Sequence, residues 1–497
     1  MAFFDEYKPF RNYMRRFDRT QSLVDVWCYF QHITENRPLP PDYAVGRPFS
    51  VPIKGRVRPW ELDTLAREIV LNAGKGGDRS LRNWKAFADA VDHIKRLDEE
   101  AYRADPEVDV LWELHRIVHR QIPRQIRPTV NSMMRAVKIF GRSTVDPIVV
   151  RELGMSMRQF FLIGMGVAGH FKNKLVLSAT HEYTDPLGIS RDTSKAFFDR
   201  ITCAIDGLRA NTVKQQSYGP DWAYTWNPLE ATPLVRPEPS VPDRVICPIP
   251  DYLLRRTSTG VYYDLVKSPD FDNPFGKSFQ DYIGEVLDAV CKPPRFTILP
   301  EEPYYVGSKR FDGVDWVLSD NTGHLFIEAK TKRLTLYSRI RNDDVALEKD
   351  LGTMADAIVQ HYQNIRRALD RKTKWVPDDL PVYPIILTLE DWYILSPRVS
   401  EKLNTHLRRL MAERGVPQEM LTDMPFTVAS THDFETASQV IAQVGIDAVM
   451  AMKTAVERWN WSLSPFLNQN FGEQMKTVNW QIFGQEFREL VPERARP

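Results

Sequence analysis

Three residues near the end of the second third of the chain are spaced for phosphoryl chemistry. Asp315 opens the apolar run Trp316-Val317-Leu318, and Glu328-Ala329-Lys330 closes the run Leu325-Phe326-Ile327 thirteen residues later. On a strand, residues i and i+2 share a face, so Glu328 and Lys330 are neighbours and Ala329 points the other way, into the fold. Two carboxylates gathered in this way offer hard oxygen donors of the kind that Mg²⁺ or Mn²⁺ prefers. An ammonium beside them can orient a water for attack on phosphorus. Asp312 is a rival for the first carboxylate. It sits next to Gly313 and has the character of a turn residue, whereas Asp315 abuts the strand.

The elements that must hold these groups are legible around them. Ser319-Asp320-Asn321-Thr322-Gly323 reads as the turn of a β-hairpin joining the two apolar runs. Upstream, Pro274 to Val290 carries Phe279, Tyr282, Ile283, Val286, Leu287 and Val290 at helical spacing. Phe296 to Leu299 reads as a first strand and Val382 to Leu389 as a buried strand. Between them, Asp343 to Asp370 reads as a helix broken near Gly352.

The pattern Asp315, Glu328-x-Lys330 on a hairpin, in the order helix, strands, helix, strand, resembles the PD-(D/E)XK nuclease superfamily. The resemblance covers about residues 270 to 430. It implies a restriction-endonuclease-like αβββαβ core and a Mg²⁺- or Mn²⁺-dependent endonuclease, with DNA a more natural substrate than RNA. Asp315, Glu328 and the Ala329 carbonyl would hold the ion, and Lys330 would position the water. The family often carries a glutamate on the preceding helix. Here Gln280 stands at the usual place, and Glu285 is the acidic candidate for a metal or a metal-bound water. Gln360, with Gln363 nearby, corresponds to a helical glutamine that one branch of the family keeps near its site. Arg333, Arg339 and Arg341 follow the motif and would contact phosphates. A solitary nuclease domain joined to a helical module, with no motor or methylase, resembles bacterial anti-phage or restriction effectors.

Composition sets wide bounds. The chain has 497 residues, enough for two or three domains, and its 43% hydrophobic and 26% charged content is that of an ordinary globular protein. A net charge of +1 places any polyanion contact in local patches. Four scattered cysteines without a CxxC pair fit a reducing cytoplasm and exclude a structural zinc site built on them. The opening Met1-Ala2-Phe3-Phe4-Asp5 lacks a basic stretch followed by an apolar one, so no secretory signal is expected. No run approaches the roughly 20 apolar residues of a membrane span.

The fold expected from these readings is α+β or α/β and multidomain. Residues 1–226 form a mainly helical recognition or regulatory module, and 227–250 a connector, extended by its seven prolines. Residues 251–430 form the nuclease-like domain, and 431–497 a helical, aromatic-rich segment packed on the body. In the first module Arg116, Arg120, Arg124 and Arg127 fall at spacings of 4, 4 and 3, a stripe able to contact phosphates if Pro123 does not interrupt it. Ser178 to Ile201 has the outline of a helix-turn-helix. Gly164-Met165-Gly166-Val167-Ala168-Gly169 matches GxGxxG but lacks a βαβ context and reads as close helix packing. His115 and His119 lie at i, i+4 without a third zinc ligand. A protein activator or a homodimer is compatible with all of this. Two other readings stay open: a nuclease-like protein that binds nucleic acid or a partner without cutting, and a helical scaffold on which Glu328 and Lys330 are surface residues.

Overall fold

The computed structural model describes residues 3–48, 50–103, 110–183, 187–340, 344–394 and 396–491. The chain is mixed α/β and mainly helical, around one five-stranded mixed sheet. Its strands are β1 (Thr297–Pro300), β2 (Trp316–Ser319), β3 (His324–Lys330), β4 (Val382–Thr388) and β5 (Thr427–Ser430). The spatial order is β5-β4-β3-β2-β1. β1, β2 and β3 are antiparallel neighbours, while β3, β4 and β5 run parallel. All four strands expected from the sequence lie in this sheet, and Thr427–Ser430 adds a fifth.

Alternation along the strands sorts the two faces. Leu318, Leu325, Ile327, Ile385, Leu387 and Ala429 look toward helix α3 (Asp272–Val290) and helix α6 (Thr431–Val444). Val317, Phe326, Val382 and Ile386 look toward α4 (Asp344–Leu369) and α5 (Pro397–Glu413). The break expected near Gly352 is absent: α4 runs through it. A glycine inside a helix costs about 1 kcal/mol, and the burial of Leu347, Leu351, Met354 and Ile358 along one stripe outweighs that. The expected start of this helix at Asp343 lies outside the described residues.

Helix α3 presses closely on β2. A Cβ at Gly284 would fall inside the Trp316 indole, whose Nε1 donates to the Gln280 carbonyl at 2.9 Å. Gly284→Ala is therefore expected to cost about 1–3 kcal/mol by overpacking. Denaturant unfolding of the variant checks this, and unchanged stability would show that the helix and Trp316 part easily.

The core does not divide at the proline-rich segment. One continuous apolar cluster joins Met134, Phe140, Phe160 and Phe171 to Phe279, Leu318, Ile385, Phe434 and Phe466. A second is built by residues 3–101 together with Leu208, Trp222, Val235 and Tyr252. The expected extended connector is stitched into the first half. Leu234–Arg236 pairs with Thr202–Ala204, and Arg244–Val245 pairs with Leu177–Ser178. Prolines punctuate the segment, but Leu234, Val235, Val245 and Ile246 between them are buried and find strand partners. In the final segment Phe466, Phe471 and Phe483 pack onto the main cluster, whereas Trp459 and Trp480 stay partly exposed.

Gly164 lies in the helix Met157–Asn173 against the Thr257 side chain, so the glycine-rich run serves helix packing. In the Ser178–Ile201 segment the expected second helix is present as Arg191–Ile201, and Arg191, Lys195 and Arg200 are ion-paired with Glu182, Asp199 and Asp264. Residues 184–186 of that segment lie outside the described residues. No described helix is long and apolar enough to cross a membrane.

Candidate active site

The hairpin register brings the three residues together. Trp316 pairs with Ile327, so Asp315, one residue further out, stands opposite Glu328. Directly opposed side chains on neighbouring strands are about 4.5–5.5 Å apart at Cβ. Asp315 Oδ2 accepts from the Ala329 amide at 2.6 Å, which ties the first carboxylate to the strand carrying the second. Glu328 Oε1 lies 2.6 Å from Lys330 Nζ. Ala329 packs on the opposite, α3 side. Glu328 is 5% exposed, which excludes a surface position for it, while Lys330 stays partly exposed.

The electrostatics follow from crowding. Burial pushes the Asp315 carboxyl well above the usual carboxylate range, and the neighbouring Glu328 charge adds to it. The Ala329 amide and Lys330 offset this only in part. Burial also works against the Glu328 charge, but His361 and Lys330 outweigh it and hold that carboxyl below its ordinary value. Burial would discharge Lys330, yet Glu328 and Asp315 raise it, so it remains an ammonium at neutral pH.

His361, on α4, is the neighbour the sequence reading missed. Its Nε2 lies 3.1 Å from the Phe326 carbonyl, and its Nδ1 lies 3.4 Å from Glu328 Oε2 without a well-formed hydrogen bond. Gln360, one position earlier, is exposed. Helical periodicity held the signal: His361 shares its buried stripe with Ile358, Tyr362 and Ile365.

The acidic residue near Asp315 is Glu301, not Glu285. The Glu301 amide donates to the Asp315 carbonyl at 2.8 Å, and its charge helps to raise the Asp315 carboxyl. Gln280 donates to Glu301 Oε2 at 2.8 Å and accepts from Lys277 at 2.8 Å. Glu285 faces helix α2 (Val130–Phe140) instead, where it pairs with Lys138 at 2.9 Å and with Arg142 just beyond that helix. The turn of helix between Gln280 and Glu285 carries the latter away from the sheet end.

The arginines expected to contact phosphate have other work. Arg333 and Arg339 converge on Glu390, at 2.9 and 2.6 Å. Burial raises the Glu390 carboxyl, but the two guanidiniums outweigh it and hold it at about 2. A depressed carboxyl contributes stability above its unfolded value, near 4.5, and loses it as pH falls toward 2. Glu390→Gln is thus expected to flatten acid unfolding in that window, as a pH series of thermal melts would show; an unchanged pH profile would contradict it. Arg341 lies outside the described residues.

The basic stripe is also held within the protein, except for Arg127, which is exposed but ion-paired. Helix α1 (Val110–Gln125) continues through Pro123 in its last turn. Arg116 pairs with Glu113 and Asp221 and covers the Tyr224 ring; Arg120 pairs with Asp98. Arg124 bridges Asp63 and Glu230 at 3.0 and 2.9 Å, and Arg127 pairs with Glu35. Arg116 and Arg120 are buried, so they offer no row to a polyanion. His115 and His119 are buried too, with His115 Nε2 3.1 Å from the Ser338 carbonyl.

Among the described residues, no group of three or more His, Cys, Asp and Glu side chains could hold a metal ion. Mg²⁺ asks for less, since it usually keeps several waters and takes one or two carboxylates. Glu328 Oε2 is buried without a hydrogen bond, and Asp315 has one oxygen beyond its bond to Ala329. Two crowded carboxylates with spare oxygens fit a small divalent cation that keeps its waters. No protein-family model, no curated protein and no solved structure matches the chain.

Proposed function

We propose that the chain is a metal-dependent nuclease that hydrolyses phosphodiester bonds, with residues 251–430 as its nuclease-like unit, DNA as its first substrate to test, and restriction or anti-phage defence in the cytoplasm as its setting. The observation that carries this reading is the cross-strand pair Asp315–Glu328 with Lys330 on its rim, at the end of a sheet whose helix-and-strand order resembles the αβββαβ core. Asp315, Glu328 and the Ala329 carbonyl are the groups that would hold Mg²⁺ or Mn²⁺. When bound, such an ion supplies an activated water and positive charge against the phosphate.

The chain's own residues do the rest. Glu328 keeps Lys330 charged, so Lys330 acts by position and charge rather than as a base. Its Nζ is fixed at 2.6 Å from Glu328 Oε1 while remaining partly accessible, where it can orient a water and offset charge building on the phosphate oxygens. Asp315, fastened by the Ala329 amide, fixes the spacing of the two carboxylates.

A Mn²⁺ titration of the full chain by calorimetry tests the reading. Binding in the wild type that is lost in Asp315→Asn and Glu328→Gln supports it. The competing reading is a nuclease-like protein that binds nucleic acid or a protein partner without cutting. The absence of a three-residue metal cluster among the described residues favours that alternative, and it expects no Mn²⁺ binding at all.

A further inference from the structure

His361 is buried completely, yet it is not ordinary core. Its ring stands between two acceptors: the Phe326 carbonyl oxygen, 3.1 Å from Nε2, and Glu328 Oε2, 3.4 Å from Nδ1. Phe326 and Glu328 lie on the same strand two residues apart and point to the same face, so the ring spans one repeat of β3 from the side of α4. Neither Nδ1 nor Glu328 Oε2 has another hydrogen-bond partner. A buried polar atom left unpaired is costly, and here two such atoms face each other. A small rotation of either side chain would pair them. Lys330 holds the other oxygen of the same carboxylate.

We propose that His361 is a positioning residue for the Glu328 carboxylate. Anchored on Phe326, it fixes from behind the rotation of the group that Lys330 grips from the front. This inference rests on the metal-site reading of Asp315 and Glu328. Groups that brace a ligating carboxylate or imidazole typically contribute 10–100-fold to metal affinity.

Two substitutions separate anchoring from positioning. His361→Gln places an amide nitrogen near Nε2 and can keep the Phe326 bond, but offers nothing to Glu328. His361→Asn places its amide nitrogen near Nδ1 and can keep the Glu328 contact. Mn²⁺ affinity, read by calorimetry on full-length protein after thermal melts show folded chains, is expected to fall about 10–100-fold in His361→Gln. It is expected to stay close to wild type in His361→Asn, which loses thermal stability instead. Wild-type affinity in a folded His361→Gln, or equal weakening in both variants, overturns the inference while leaving the metal site standing. No Mn²⁺ binding by the wild type overturns the metal-site reading and this inference with it. If either substitution unfolds the chain, ¹⁵N-histidine spectra of the intact protein decide. A His361 ring resonance that shifts on adding Mg²⁺ supports the role; one that stays unmoved overturns it.

Discussion

Replacing Lys330 with alanine is expected to lower kcat for phosphodiester cleavage by at least about 10²–10³-fold, the usual consequence of deleting one preorganised group that meets developing charge. Lys330 Nζ is the cation nearest the two carboxylates, and Glu328 keeps it both charged and fixed. Its loss removes a charge that matters when the phosphate oxygens gain negative character, so kcat falls more than KM rises. The substitution also leaves Glu328 Oε1 without its partner, so a stability cost accompanies it. Thermal melts and substrate-saturated rates measured together separate the two effects. Glu328→Gln should lose at least as much activity, because it removes a charge from the pair opposed across the hairpin. The double variant should be little worse than the worse single one, since groups acting as a unit are strongly non-additive. Full activity in folded Lys330→Ala would remove Lys330 from the chemistry.

The second large effect is on stability and falls far from the site. Arg124→Met is expected to destabilise the chain by about 3–5 kcal/mol, the cost of breaking a buried ion pair from one side. Arg124 bridges Asp63 and Glu230, and Asp63 also accepts from Tyr252 and Asn227 at 2.5 and 2.6 Å. Removing the guanidinium strands the Asp63 carboxylate among buried side chains and takes the ion-pair partner from the part-exposed Glu230. Burial already works against the Asp63 charge, and Arg124 with the hydrogen bonds outweighs it and holds the carboxyl below its ordinary value. That contribution is present above the unfolded value, near 3.8, and disappears as pH falls below it. Chemical denaturation at neutral pH measures the loss. Nucleic-acid binding by the folded fraction should keep its salt dependence, because a group already paired inside the protein releases no counterions from DNA. A flattened salt slope with unchanged stability would restore the stripe to the surface.

The hairpin and the gathering of Asp315, Glu328 and Lys330 at its end were legible because they are local. Trp316 to Leu318 and Leu325 to Ile327 are short apolar runs joined by a turn, and the period of two fixes which side chains share a face. The rest depended on residues distant in sequence. The four arginines of the stripe have the spacing of a phosphate-binding face. Their partners Asp63, Asp98, Asp221 and Glu230 are up to 106 residues away, beyond the reach of periodicity. Glu285 and Glu301 are both glutamates near the motif, and the register of β1 on β2, which sets Glu301 opposite Asp315, decides which one approaches it. His361 carried a signal, the buried stripe of α4, that resemblance to a neighbouring glutamine obscured. The proline-rich segment misled because proline reports a missing donor, while the apolar residues between prolines still found strands to join.

The central claim is that Asp315, Glu328 and Lys330 cut phosphodiester bonds with a divalent ion. Incubating the purified full chain with end-labelled duplex DNA, single-stranded DNA and RNA, with Mg²⁺ or Mn²⁺ and with chelator, tests it most directly. The account predicts cleavage of at least one of these substrates that chelator abolishes and that folded Asp315→Asn loses. Cleavage that survives in folded Asp315→Asn, or no cleavage of any substrate by a wild-type chain that binds no Mn²⁺, would contradict it.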